Sequence, residues 1–163
     1  MSKGHYKTAQ ICMNGHVLTE NFAAENIATN YCETCGAKTI TQCQSCGANI
    51  RGYFQYDGIA ICAHYTRPNF CYNCGKPYPW AEEAMVAAKE LAMESEELTE
   101  KDADDLEAAM ADIMQDGPRT EVASVKIKKI AKKAGSTIGG AIEKIAINVA
   151  TEAAKQLITS GMV

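Results

Sequence analysis

The chain has 163 residues, 47% of them hydrophobic and 22% charged, and a formal charge of −4. This is ordinary globular composition, and it excludes a wholly disordered chain, a collagen-like repeat and a low-complexity tract. No stretch of about 18 residues stays apolar enough to span a membrane. The opening run MSKGHYKTAQ lacks the apolar segment of a secretory signal, so the expected location is cytoplasmic.

The charge is unevenly placed, at +2 over residues 1–80, −11 over 81–116 and +5 over 117–163. All eight cysteines, all three histidines and all eleven aromatic residues lie at or before Trp80. In a reducing compartment, eight cysteines point to metal thiolates rather than disulfides. The expected class is therefore α+β. A small β-rich double zinc-ribbon module at 1–80 precedes an α-helical module of about four helices at 81–163.

The first module is organised by three knuckles: Cys32-Glu-Thr-Cys35-Gly36, Cys43-Gln-Ser-Cys46-Gly47 and Cys71-Tyr-Asn-Cys74-Gly75. Two residues between cysteines let both thiolates reach one ion, and the following glycine admits the positive φ that turns backbone amides toward sulfur. A further half-site, Cys12-Met-Asn-Gly-His16, places a thiolate and an imidazole about another glycine turn. Paired sequentially, Cys12, His16, Cys32 and Cys35 hold one zinc, and Cys43, Cys46, Cys71 and Cys74 hold a second. That arrangement is the simplest; a cross-braced pairing, first half-site with third and second with fourth, is not excluded by the spacing. Either way both shells close with four protein donors, which suits structural rather than catalytic Zn2+. Two metals would also supply stability that about 80 residues of core cannot.

Between the second and third knuckles, Ile50 to Tyr56 reads as a strand and Asp57-Gly58 as a turn. The natural hairpin partner is a strand at 59–65. That segment carries Cys62 and His64, which the two zinc shells leave over. Two residues apart on a strand, they would face the same side. The favoured reading is a buried thiol and an ordinary histidine, ahead of a third metal position or a nucleophile pair. His5 is expected to be solvated. Arg51, Arg67 and Lys76, interleaved with Tyr53, Tyr56, Tyr72, Tyr78 and Trp80, offer a nucleic-acid surface. Ionised thiols offset by two Zn2+ would leave the module near −1, however, short of the basic footprint of such a binder.

The order ICMNGH, YCETCGAKTI, CQSCGANIRGYF and FCYNCGKPYPW closely resembles a family of uncharacterised bacterial proteins with a zinc-ribbon-like domain of unknown function. The resemblance covers residues 9–80 well and the helical tail more loosely. In that family the second C-x-x-C often carries Pro after its first cysteine, where this chain has Gln44. Cys62 and His64 lie outside the family's pattern. The resemblance implies a fold and no activity.

After Pro77-Tyr-Pro-Trp80 the pattern turns helical. A helix over 81–96 gathers Ala81, Met85, Ala88 and Ala92 on one face, with Leu91 beside them. Thr99 begins a second helix, with Asp102 completing a capping box; Leu106, Ala109, Met110, Ile113 and Met114 form its stripe. A third runs from about Thr120 to Gly135 on Ala123, Ile127, Ile130, Ala131 and Ala134. A last helix over about 137–160 clusters Ile138, Ile142, Ile145, Val149 and Ala153, and its apolar arc exceeds half the circumference, as if buried on more than one side.

These features favour a zinc-stabilised, non-catalytic protein-interaction or assembly protein. Its association with a protein partner or another copy would run through helices 81–163. The alternative is a nucleic-acid-associated zinc ribbon using Lys126 to Lys133 and the ribbon aromatics. An enzyme is disfavoured, because no carboxylate pair, phosphate loop or open metal shell is present in the pattern.

Overall fold

The computed structural model describes residues 3–23, 29–58 and 64–160. The chain divides into two compact units, Met1–Trp80 and Ala81–Val163. The first is built from short strands. β1 (Gly4–Thr8) and a strand at Arg51–Tyr56 pair antiparallel, from Gly4 opposite Tyr56 to Thr8 opposite Arg51, with a bulge between Tyr6 and Thr8. β2 (Gln10–Cys12) is the middle strand of a second sheet, flanked by β3 (Val17–Thr19) and β4 (Thr39–Ile40). The strand at Arg51–Tyr56 is β5. Ala9 N–H donates to the Ile50 carbonyl at 2.9 Å, joining the stretches that lead into β2 and β5.

Ala9, Ile11, Ile40, Ile50, Tyr78 and Trp80 are buried, and the last two rings stack at 4.8 Å. This is a small core. The strand expected at 50–56 is present, but its partner is β1 rather than the segment 59–65. Residues 59–63 of that segment lie outside the described residues, and His64 and Tyr65 belong to no strand. The reason for the β1 pairing is aromatic. Tyr6 sits opposite Phe54 with ring centres 4.9 Å apart, a cross-strand pair that fixes the register, and Phe54 is backed at 4.8 Å by Tyr56 of its own strand.

The second unit is helical. Five helices are present among the described residues, one more than the pattern suggested: α1 (Pro79–Met93), α2 (Glu100–Ile113), α3 (Thr120–Lys133), α4 (Ser136–Val149) and α5 (Glu152–Thr159). Pro79 takes the first helical position of α1, where its missing N–H costs nothing. Thr99 caps α2 in a full capping box, its hydroxyl accepting from Asp102 N–H at 3.2 Å and Asp102 accepting from Thr99 N–H at 2.8 Å. The expected stripes of α2 and α3 are the buried ones, and α3 lies among α2, α4 and α5.

The final segment departs from expectation. Ala150 is extended at ψ 149°, and Thr151 starts a new helix, its hydroxyl accepting from Ala154 N–H. On one unbroken helix Ala154 and Ile158 would stand about 120° and 160° away from Ile142 at 100° per residue. The break resets that phase. Ile142, Ala146, Val149, Ala154 and Ile158 are all buried, while Ala153, placed at the centre of the apolar arc by a continuous helix, is exposed. The over-wide arc is thus two ordinary stripes read as one.

The opposed charges of 81–116 and 117–163 are used within the unit. Lys133 meets Asp102 at 2.6 Å, Arg119 meets Asp112 at 2.8 Å and Lys126 meets Asp105 at 3.6 Å. Lys89 of α1 is held by Asp104 and Glu107 of α2. No helix among the described residues is long and apolar enough to cross a membrane.

Candidate metal centres

Each knuckle is a small closed turn with the same bonding. Cys32 N–H donates to the Ala37 carbonyl and Gly36 N–H donates back to Cys32; Cys43 with Ala48 and Gly47, and Cys71 with Lys76 and Gly75, repeat this at 2.7 to 2.9 Å. Gly36, Gly47 and Gly75 have φ of 72°, 75° and 71°, a region that a side chain would penalise. The half-site at Cys12 is a variant, with Gly15 donating to the Cys12 carbonyl and Cys12 N–H to that of His16.

The fold gathers these turns into two clusters, Cys12, His16, Cys32 and Cys35 in one and Cys43, Cys46, Cys71 and Cys74 in the other. This is the sequential grouping; half-sites are not interleaved. Within each cluster all four donor atoms lie within 4.8 Å of one another. Cys12 Sγ is 3.5 Å from His16 Nδ1 and 3.7 Å from Cys35 Sγ, and Cys32 Sγ is 3.7 Å from His16 Nδ1. In the second cluster Cys43 and Cys74 sulfurs are 3.8 Å apart, and those of Cys46 and Cys71 3.6 Å. A tetrahedron with sulfur about 2.3 Å and nitrogen about 2.0 Å from a central ion has S–S edges of about 3.8 Å and S–N edges of about 3.5 Å. The donor sets therefore fit a tetrahedral thiophilic cation in both number and spacing.

Electrostatics point the same way. Burial raises the Cys32 thiol, but the N–H groups of Thr34 and Cys35 and the sulfurs of Cys35 and Cys12 outweigh it and bring it to about 6. Cys71 follows the same logic, with burial opposed by the Cys74 and Asn73 N–H groups, and also reaches about 6. For Cys74 the Lys76 N–H works downward, against burial and the crowding sulfurs of Cys46, Cys43 and Cys71, which push it up to about 11. Packed sulfurs cannot all ionise cheaply without a cation among them.

Both clusters are half sunk in the surface. Cys12, Cys32, Cys43 and Cys71 are buried, whereas His16, Cys35, Cys46 and Cys74 are exposed. Two groups not recognised from the sequence contact them. Asn14 Nδ2 donates to Cys35 Sγ and Asn73 Nδ2 to Cys46 Sγ, each at 3.5 Å. The available signal was positional, since each asparagine lies two residues after the first cysteine of its turn. Arg67, half-buried, donates to the Gly15 carbonyl and stands 5.8 Å from the Trp80 ring centre. Burial pulls its guanidinium below the ordinary range, opposed by the charge on Cys12.

The leftover pair is not described as a pair. Cys62 lies outside the described residues; His64 is exposed in a cleft with Tyr6, Arg51 and Phe54.

Short antiparallel sheets, C-x-x-C turns each closed by a single antiparallel bridge, and two four-donor clusters define the first unit as a zinc-ribbon-like module. Residues 5–158 match the family described as uncharacterized protein conserved in bacteria (DUF2321), and the chain belongs to it. The match extends through the helical unit, beyond the well-matched stretch that the motifs alone marked. No curated protein and no solved structure matches the chain.

Proposed function

We propose that each cluster holds one structural Zn2+, two per chain, and that the protein is a non-catalytic interaction component. Four protein donors at each cluster carry this reading, because a closed tetrahedral shell keeps no position for water or substrate. The ions would hold together turns that have little apolar core of their own. Metal analysis of the purified chain tests it: two zincs per chain are expected, and one, or iron, overturns it.

The interaction role rests on the helical unit. Breaking the last helix at Ala150 weakens the wide apolar arc as a reason for association, since Ile142, Ala146, Val149, Ala154 and Ile158 are buried within the chain while Ala153 is left exposed. Support comes instead from α3, which keeps Val122 and Val125 exposed one turn apart, and from α1, which exposes Val86 and Met93. Sedimentation of the full chain across a concentration series, alone and with Val122→Glu and Val125→Glu, tests self-association. A monomer throughout leaves a heterologous protein partner as the form of this reading. Nucleic acid is not favoured: Arg51 is already stacked on two tyrosine rings and Arg67 is engaged at Gly15.

A further inference from the structure

We propose that Cys74 is a modification site, the first of the cluster sulfurs to be taken by a soft electrophile, and that Asn14 and Asn73 protect the others. The inference rests on the reading that both clusters hold zinc as thiolates. Of the seven cluster cysteines, Cys12, Cys32, Cys43 and Cys71 are buried, and only Cys35, Cys46 and Cys74 face solvent. Two of these three carry a side-chain amide donor. Asn14 reaches across the first cluster to Cys35, and Asn73 across the second to Cys46, both at 3.5 Å. The arrangement repeats in detail: the asparagine sits two residues after the first cysteine of one turn and contacts the second cysteine of the facing turn.

Cys74 is the exception. Among the described residues it is exposed and has the backbone N–H of Lys76, but no side-chain amide. An N–H donor draws charge from a thiolate and occupies one direction of approach, lowering its nucleophilicity. The exposed imidazole His16 completes the first cluster, so that cluster presents no unprotected sulfur. Attack is thereby directed to one atom of the second cluster.

With iodoacetamide as the probe, the Cys74 sulfur forms a bond to the methylene carbon while the carbon–iodine bond breaks and iodide departs with its electron pair. The product is a neutral thioether. The second cluster then has three anionic donors in place of four, and its hold on the cation weakens while the first cluster is untouched.

The test uses the full chain after its zinc content has been measured. Limiting iodoacetamide is added, and peptide mapping follows each cysteine over time. Cys74 is expected to lead Cys35 and Cys46. In Asn73→Leu the Cys46 rate should rise about fivefold, the ratio corresponding to one net hydrogen bond of ordinary strength, with Cys35 unchanged. Asn14→Leu should raise Cys35 alone, and because it lies at the other cluster it tests the rule independently of any harm done by the first variant. Equal rates at Cys74 and Cys46 in the parent chain, or unchanged Cys46 and Cys35 rates in the two variants, overturn the proposal on a chain carrying two zincs. A chain without zinc overturns the metal reading first, and this inference with it.

Discussion

The Arg51 guanidinium lies 3.8 Å from the centre of the Tyr72 ring. Tyr72 belongs to the third knuckle, between Cys71 and Cys74, and Arg51 begins β5. The same guanidinium stands 4.3 Å from the Tyr6 ring of β1. One cation therefore ties a metal-binding turn to both strands of the first sheet.

This contact makes the two basic residue types unequal. Arg51→Lys keeps the charge but loses the flat face that stacks on both rings. It should lower the stability of the first unit by about 1 kcal/mol, with Arg51→Ala somewhat worse. Urea unfolding followed by tyrosine fluorescence measures it. A lysine variant as stable as the parent would show that charge alone matters.

Metal removal should separate the two units. The buried apolar residues of the first unit are few, while the helical unit has its own stripe on every helix from α2 to α5. Chelation is expected to unfold the first unit and leave most of the far-UV helical signal, because structural zinc binding is folding energy for small modules. Cys35→Ser should release one zinc and retain the cluster at Cys43. Loss of the helical signal on chelation would contradict the separation.

The metal turns were legible because their chemistry is local. Cys, two residues, Cys and Gly specify a turn, and the ligand identities follow whatever the rest of the chain does. The sequential pairing was legible only as the simpler of two arrangements, since it depends on how β2 and β4 bring Cys12 beside Cys35. The β1–β5 pairing was missed for a similar reason: Gly-His-Tyr-Lys-Thr reads weakly as a strand, and only its Tyr6 contact with Phe54 across the ladder settles it. The break at Ala150 lacks Pro and Gly, so periodicity ran through it. Thr151-Glu152 was the available signal, a cap followed by an acidic first turn.

Adjacent glycines in α4 should respond with opposite sign. A Cβ on Gly139 would overlap the Ala131 carbonyl oxygen of α3, whereas one on Gly140 would meet nothing within 4 Å. Gly139→Ala must force the two helices apart, at about 1–3 kcal/mol. Gly140→Ala should stabilise by roughly 0.5–1 kcal/mol, since alanine is the better helix former. Thermal melts of the two variants decide it, and a shift of the same sign in both would refute the close approach.

Acid should weaken the helical unit through Asp102. Lys133 and, after it, the Thr99 N–H and hydroxyl hold this carboxyl well below the usual carboxylate range. A depressed folded-state value contributes stability above the unfolded value and loses it as pH falls through the carboxylate range. The capped end of α2 should therefore weaken below about pH 4, and added salt should reduce the effect because the pair is partly exposed. Asp102→Asn should flatten the acid limb of helical stability read by circular dichroism. An acid limb identical to the parent's would assign the loss to other carboxylates.

The last helices should prove inseparable from the unit's core. Thr151 N–H donates to the Ile113 carbonyl at 2.9 Å, so the start of α5 is bonded to the end of α2, and Lys128 of α3 donates to the Leu157 carbonyl at 3.1 Å. A chain ending at Gly135 loses Ile142, Ala146, Val149, Ala154 and Ile158 from the interior and exposes the buried face of α3. Such a truncation is expected to lose cooperative unfolding and to aggregate. The milder Thr151→Ala should cost about 1 kcal/mol, the usual loss for a helix cap, without changing the oligomeric state of the chain. Light scattering and thermal unfolding of both variants provide the measurement. A truncated chain that stays monomeric and melts cooperatively would mean that α4 and α5 are an appendage, and association through them would again become the better account of their apolar residues.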